Sequence, residues 1–178
     1  GYLSDTYEGL SLGVQYIYST QQFSGGTYTG SKNSAYSLGN SHYDVLNELY
    51  LNYNLEHFGL KKSYLRVGRQ IIDLNFVSPY KIRHKSQSFE AVVLHLGDIE
   101  NWQIDLGHFE KFSGWSSKNT DFIDVEEQAG ATYATKGFQF AEVSYTGFKK
   151  TLISVYDYYG DDLYNTFGVH MNHKIKLF

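Results

Sequence analysis

Apolar side chains recur at every second position through several stretches of the chain. In LSLGVQYIYS, residues 10–19, Leu10, Leu12, Val14, Tyr16 and Tyr18 share one side, against Ser11, Gly13, Gln15 and Ser19 on the other. Residues 48–58 give the clearest alternation: Leu49, Leu51, Tyr53 and Leu55 oppose Glu48, Tyr50, Asn52, Asn54 and Glu56. Farther on, Trp102, Ile104, Leu106 and His108 oppose Gln103, Asp105, Gly107 and Phe109. Side chains of an extended backbone point to alternate faces, so a period of two predicts strands with one apolar and one polar face. Further strands are predicted over 63–72, 89–96, 128–135, 138–148, 151–159 and 163–176, about nine in all. Their short connections make them antiparallel.

The connections alternate in length. The polar stretches 20–41, 73–88 and 113–126 are long, whereas GLKK (59–62), GDIEN (97–101) and KG (136–137) are short. Long loops on one rim and tight turns on the other characterise a transmembrane β-barrel, and strands of about ten residues suit a tilted crossing of the hydrocarbon. A sandwich with one solvated face gives the same alternation, but no reason for the loop lengths to alternate. The fold expected is therefore all-β, an antiparallel transmembrane β-barrel forming one domain over residues 1–178. A soluble or surface-exposed β-rich binding module is the alternative. Tyr18, Phe58, Trp102, Phe112, Tyr158 and Tyr159, near strand ends, are candidates for interfacial aromatic girdles.

Composition narrows the functions. In 178 residues there are 17 Gly, 17 Tyr and 12 Phe but one Pro, a β-type composition. The net charge of −4 argues against nucleic acid as a partner. Cysteine is absent, which excludes disulfides and thiolate ligands. His170 and His173 would point to opposite faces of a strand, and neither HExxH nor a phosphate-binding glycine loop occurs. No catalytic residue, metal or other cofactor is therefore expected. The opening GYLSDTYEGL has no basic and apolar leader pattern, so no signal peptide is expected within the chain.

The segment 65–93 gathers Arg66, Arg69, Lys81, Arg83 and Lys85 against the two carboxylates Asp73 and Glu90. Lys81, Arg83 and Lys85 recur at every second residue, so extended backbone would place them on one side. Such a row could form an anion-attracting wall, or merely hydrate a solvent-facing loop. Arg66 falls on the polar phase of its strand and Arg69 on the opposite phase near the strand end. Glu48, Glu56 and Asp105 are inward by phase and candidates for a wet lining. Asp73, at the loop entrance, suits a turn-capping role or solute contact.

Several motifs in this region carry a resemblance: GRQ at 68–70, SPYKIR ending at Arg83, QSFEA at 87–91 and GHFEKFSGWSS at 107–117. The chain resembles the OprD-like family of bacterial outer-membrane porins, most strongly over residues 43–120. The resemblance implies a pore of about eighteen strands, of which this chain would hold an internal portion of about nine. It also implies an inward-folded constriction loop, by position 73–88, with Arg66, Lys81, Arg83 and Lys85 on the basic side of the constriction. Arg83 matches the motif directly. Where the family pattern has a proline, Lys85 and Ser86 stand here. The implied activity is passive diffusion of small polar or carboxylate-bearing solutes, and the surroundings are outer-membrane lipid and lipopolysaccharide. A homotrimer is compatible with the family.

Overall fold

The computed structural model describes residues 1–4, 6–19, 43–79, 85–114, 121–130, 132 and 135–174. Its strands are β1 (Tyr2–Leu3), β2 (Leu10–Ser19), β3 (Tyr43–Asn54), β4 (Tyr64–Gln70), β5 (Ser88–Leu96), β6 (Trp102–Ser113), β7 (Ile123–Asp124), β8 (Phe138–Tyr145), β9 (Thr151–Gly160) and β10 (Tyr164–His173). All belong to one sheet and pair antiparallel in chain order, except that the short β7 lies beside the end of β6 while β8 pairs with the rest of it. Connections 20–42, 71–87 and 114–137 leave from one rim, and the turns 55–63, 97–101 and 146–150 from the other. The three-residue turn 161–163 interrupts this alternation on the long-loop rim.

Two expectations about elements are corrected. The strand predicted over 128–135 does not begin there, because α1 (Val125–Ala129) occupies its start and Gly130 ends the helix at φ 77. Glu126 and Glu127 in the first turn complement the positive end of the helical dipole, which favours a turn of helix over extension. The strand predicted over 48–58 starts earlier, at Tyr43, and stops at Asn54, where a 3₁₀ turn, Leu55–Phe58, takes over.

The outward face is apolar. Leu10, Leu12, Leu49, Leu51, Leu65, Val67, Val92, Leu106, Val155, Phe167, Val169 and Met171 are all exposed there, a contiguous surface far larger than soluble monomers leave uncovered. Its course across the sheet is informative. Register partners traced from Val14 run Leu49, Arg69, Glu90, Lys111, turning from apolar to charged. Partners traced from Val169 run Val155, Val143, Ile104, Leu96, apolar throughout. The belt thus lies nearer the long-loop rim at β2 and nearer the short-turn rim at β10. A belt parallel to a membrane must cross the register rows obliquely when strands tilt by roughly 35–45°. Tyr145 touches both Trp102 and Phe148 at the short-turn edge of the belt, with centroids 4.6 and 5.3 Å apart, in the manner of an interfacial girdle. Of the girdle candidates, Tyr18, Phe58, Trp102 and Tyr159 are exposed, but Tyr158 is fully buried on the inward face.

The inward face is built differently. Gly13, Gly107, Gly160 and Gly168 sit directly opposite Tyr50, Phe140, Phe138 and Tyr156. Each ring lies across the space a Cβ would fill, with ring atoms 2.2 to 2.6 Å from that position. The rings therefore lie flat along the wall. Phe89, Phe109, Phe138, Phe140 and Tyr158 form the core with Ala91 and Val93, and the connection after β4 adds Ile72 and Val77. Aromatic pairs such as Phe89–Phe109 at 5.2 Å and Phe140–Tyr158 at 5.5 Å contribute on the order of 1 kcal/mol each beyond area burial.

The oblique belt makes a prediction for two neighbouring outward positions on β9. Val155→Arg should lower barrel stability by about 2–4 kcal/mol, and Asp157→Arg, at the belt's polar edge, by about 0–1. Reversible urea unfolding from lipid vesicles measures both; equal losses would contradict the belt's course.

Candidate functional site

The site is the loop that follows β4 and the wall it meets. Its two flanks are the GRQ and QSFEA motifs, which interlock across the β4–β5 register. Gly68 has φ +121, and a Cβ there would sit 2.4 Å from the Leu49 carbonyl oxygen, so only glycine fits. Arg69 and Glu90 are register partners joined by a 2.8 Å ion pair, with the Arg69 guanidinium over the Phe122 ring at 4.2 Å. Gln70 is buried and donates from Nε2 to the Ala91 carbonyl at 3.0 Å. Ser88 donates to Asn47 Oδ1 on β3 at 2.8 Å, and Gln87 N–H donates to the Pro79 carbonyl at 2.8 Å, drawing the loop's neck together.

From this neck the loop turns onto the inward face. Ile72 and Val77 enter the core, and the Phe76 ring meets Tyr158 of β9 with centroids 4.9 Å apart. The backbone N–H and side-chain amide of Asn75 donate to the two carboxylate oxygens of Glu142 on β8, at 3.1 and 2.5 Å. At the other end, Lys85 is 2% exposed. Its ammonium donates to the carbonyls of Ser86 at 3.2 Å, Ser113 at 3.2 Å and Gly114 at 2.5 Å. Burial pushes the Lys85 pKa down to about 8.

Between the loop and the short turns lies a cavity of about 800 Å³. Asp73, Asp98, Glu100 and Glu142 face it along with Lys62 and His95, so its described wall is mainly acidic. Asp98 accepts from Ser63 Oγ and from the Lys62 amide, and the serine hydroxyl holds its carboxyl below the usual range. Along the adjoining wall, His95 Nδ1 lies 2.7 Å from Asp105, which also accepts from Gln103 at 2.8 Å. Tyr64 stacks on His95 at 4.8 Å. Arg66 donates from Nε to Asn52 at 3.1 Å, its guanidinium between the rings of Tyr50 and Tyr64 at 4.4 and 4.7 Å. Tyrosine faces on both sides fix the plane of this cation.

The residues singled out from sequence fall into three groups. Arg66, Asp105 and Glu48 lie on the inward phase of their strands, and Asp73 lines the cavity. Glu56 is a correction: it lies exposed in the 3₁₀ turn beyond β3, because the strand ends before its inward phase reaches that residue. Lys85 also departs from the expected row, its charge turned into backbone carbonyls. Lys81 and Arg83 lie outside the described residues. Glu142 was not foreseen, although a carboxylate between Phe140 and Ser144 on an apolar inward phase was a readable signal.

No group of His, Asp or Glu among the described residues is arranged to hold a metal ion. An antiparallel sheet with an apolar outward face, an aromatic edge and a polar inward face partly covered by its own loop is the wall of an outer-membrane β-barrel. The family is then fixed by sequence: the model of the OprD family of outer membrane porins matches residues 9–178, and the chain belongs to that family. Its place is the bacterial outer membrane, in a family of channels that catalyse no reaction.

Solved structures agree on the fold. Pseudomonas aeruginosa OpdK, crystallised with vanillate, superposes with a TM-score of 0.72 at 16% identity, covering 97% of this chain and 44% of that one. A BenF-like porin from Pseudomonas fluorescens Pf-5 gives 0.71 at 18% identity, again over 97% and 44%. Acinetobacter baumannii OccAB4 gives 0.60 at 22% identity, over 77% and 33%. The chain thus spans less than half the length of each. No curated protein sequence matches it.

Lys85 supplies a pH prediction. Its unfolded pKa is the ordinary 10.5 and its folded value about 8. Between these values the unfolded chain holds a proton that the folded chain has lost, so stability rises with pH across that window. It loses this contribution as pH falls through about 8. Urea unfolding of the wild type should show this gain relative to Lys85→Met; parallel pH profiles for the two would refute it.

Proposed function

We propose that this chain supplies part of the wall and the inward loop of a diffusion channel for small polar and anionic solutes. The observation that carries the reading is the docking of residues 72–79 on the inward face of a sheet whose outward face is apolar. A loop held there narrows the passage that the completed barrel would enclose. The sheet edges at β1 and β10 need further strands before lipid can surround them, because unpaired backbone is not tolerated in hydrocarbon.

The charges divide the passage. On this reading Arg66, clamped between two tyrosines, contributes to the basic side, to which the family motif assigns Lys81 and Arg83. Asp73, Asp98 and Glu100 line the acidic cavity toward the short turns, where the buried Glu142 carboxylate is taken up by Asn75. Glu48 and Asp105 extend the polar lining on β3 and β6. A fixed cation attracts an anion weakly in bulk water and more strongly where water and mobile salt are confined. Attraction must remain modest and spread over several positions, or the solute would lodge instead of crossing. Vanillate is a carboxylate, and its presence with OpdK supports small carboxylates as the solute class. Outer-membrane lipid and lipopolysaccharide surround the outward belt, and a homotrimer is compatible with the reading.

Reversal potentials across planar bilayers under a salt gradient test the mechanism. Arg66→Ala and Arg83→Ala should each lower the anion-to-cation permeability ratio by about fivefold, as expected for losing an interaction of ~1 kcal/mol. Uptake of a small carboxylate should fall with it. Unchanged selectivity and flux in a correctly folded double variant would remove the basic constriction from the account.

A further inference from the structure

We propose that Lys85 and Glu142 are positioning residues: two buried charges that clamp the inward loop to the wall at separate heights and take no direct part in attracting solute. The proposal deepens the channel reading and rests on it for its electrical readouts.

The donor and acceptor inventory separates these residues from a lining pair. An ammonium group has three N–H donors and no acceptor. Lys85 has three carbonyl partners, those of Ser86, Ser113 and Gly114, so every donor is engaged by backbone. At 2% exposure it offers a passing anion neither a free donor nor surface. Arg66 contrasts with it, being only half-buried, with Nε bonded to Asn52.

Glu142 mirrors Lys85. It is 4% exposed, and each carboxylate oxygen accepts from Asn75, one from the backbone N–H and one from the side-chain amide. Here the charge belongs to the wall and the backbone partner to the loop; with Lys85 the charge belongs to the loop and two of its three partners to the wall strand's end. Both are charge-assisted bonds, stronger than neutral ones, and both use main-chain partners that a neighbouring substitution cannot remove.

The two clamps are well separated along the wall. Glu142 is the register partner of Asp105, whereas Lys85 reaches Ser113 and Gly114 at the far end of β6. Eight residues (113 minus 105) at ~3.3 Å each place the clamps roughly 26 Å apart along the strand. The loop is therefore fixed at the rim and again deep on the wall, with Phe76 on Tyr158 and Val77 in the core close to the lower clamp. Departure of the loop breaks the Lys85 bonds to Ser113 and Gly114 and both Asn75 bonds to Glu142, all charge-assisted, so each clamp opposes that departure.

The test uses the intact porin, by hydrogen exchange in detergent micelles and by single-channel recording. Lys85→Met and Glu142→Ala should each accelerate amide exchange in residues 71–79 and 85–87 by roughly tenfold, as expected when a charged hydrogen-bond set is lost from a local opening equilibrium. Both should also turn a steady open-channel current into flicker while leaving the reversal potential within error of wild type. Glu142→Gln, whose amide oxygen still accepts one bond from Asn75, should fall between Ala and wild type. Arg66→Ala should do the opposite, shifting the reversal potential without speeding loop exchange. A reversal-potential shift in Lys85→Met with loop exchange unchanged would make Lys85 a lining residue and overturn the proposal. Unchanged exchange in both Lys85→Met and Glu142→Ala would do the same. A wild-type protein that forms no channel would sink the diffusion reading, while the exchange result would still decide the clamps.

Discussion

Hydrocarbon offers no hydrogen bonds, and the architecture of this chain follows from that constraint. Every backbone N–H and C=O that crosses the membrane has to be satisfied by protein, which leaves a sheet that closes on itself as the route for strands. The consecutive antiparallel pairing from β1 to β10 supplies those bonds across the described wall. Once the backbone is satisfied in this way, the two faces are free to meet different solvents. The outward face carries Leu, Val, Phe and Met in a belt oblique to the register, while the inward face carries Asp105, Glu142, Arg66 and rings laid flat over glycines. Strand tilt, belt course and loop placement are consequences of one arrangement.

Inside the wall the balance of forces changes. Near the long-loop rim the inward face is aromatic, and left open it would expose a large apolar patch to water. The chain covers it with its own loop, so Ile72 and Val77 gain burial and Phe76 lies against Tyr158 while the passage narrows. Toward the short turns the same face becomes polar, with Ser144 and Ser154 in contact at 2.7 Å and carboxylates around the cavity. Hydrophobic burial thus sets how far the loop covers the wall, and the hydrogen-bonded charges set where it is fixed.

The strands were legible because alternation is a local signal: Leu49, Leu51 and Tyr53 against Tyr50, Asn52 and Asn54 specify both the element and its faces. Where a strand ends is less local. The alternation through Leu55 and Glu56 continues into a 3₁₀ turn, and so Glu56 was placed inward when it stands at the rim. The helical turn Val125–Ala129 is too short for a period to distinguish it from extension. Lys85 shows a different limit. Its spacing from Lys81 and Arg83 suggested a shared face, but its position is decided by carbonyls 28 and 29 residues away in sequence. Glu142 meets its loop partner over 67 residues, a pairing that no local pattern encodes. The family motifs, in contrast, were legible because GRQ and QSFEA fill positions with strict demands: a glycine where no Cβ fits, an ion pair in register, and a buried amide.

The absence of cysteine from the chain permits a direct examination of the two-solvent wall. Single cysteines at consecutive positions 152–156 of β9, each labelled with a nitroxide in lipid vesicles, would be read for collision with oxygen and with a water-soluble nickel chelate. The membrane-wall account predicts oxygen contact dominating at 153 and 155 and chelate contact at 152, 154 and 156, a period of two with opposite phase for the two reagents. Uniform chelate access at all five positions would place the outward belt in water and contradict the account.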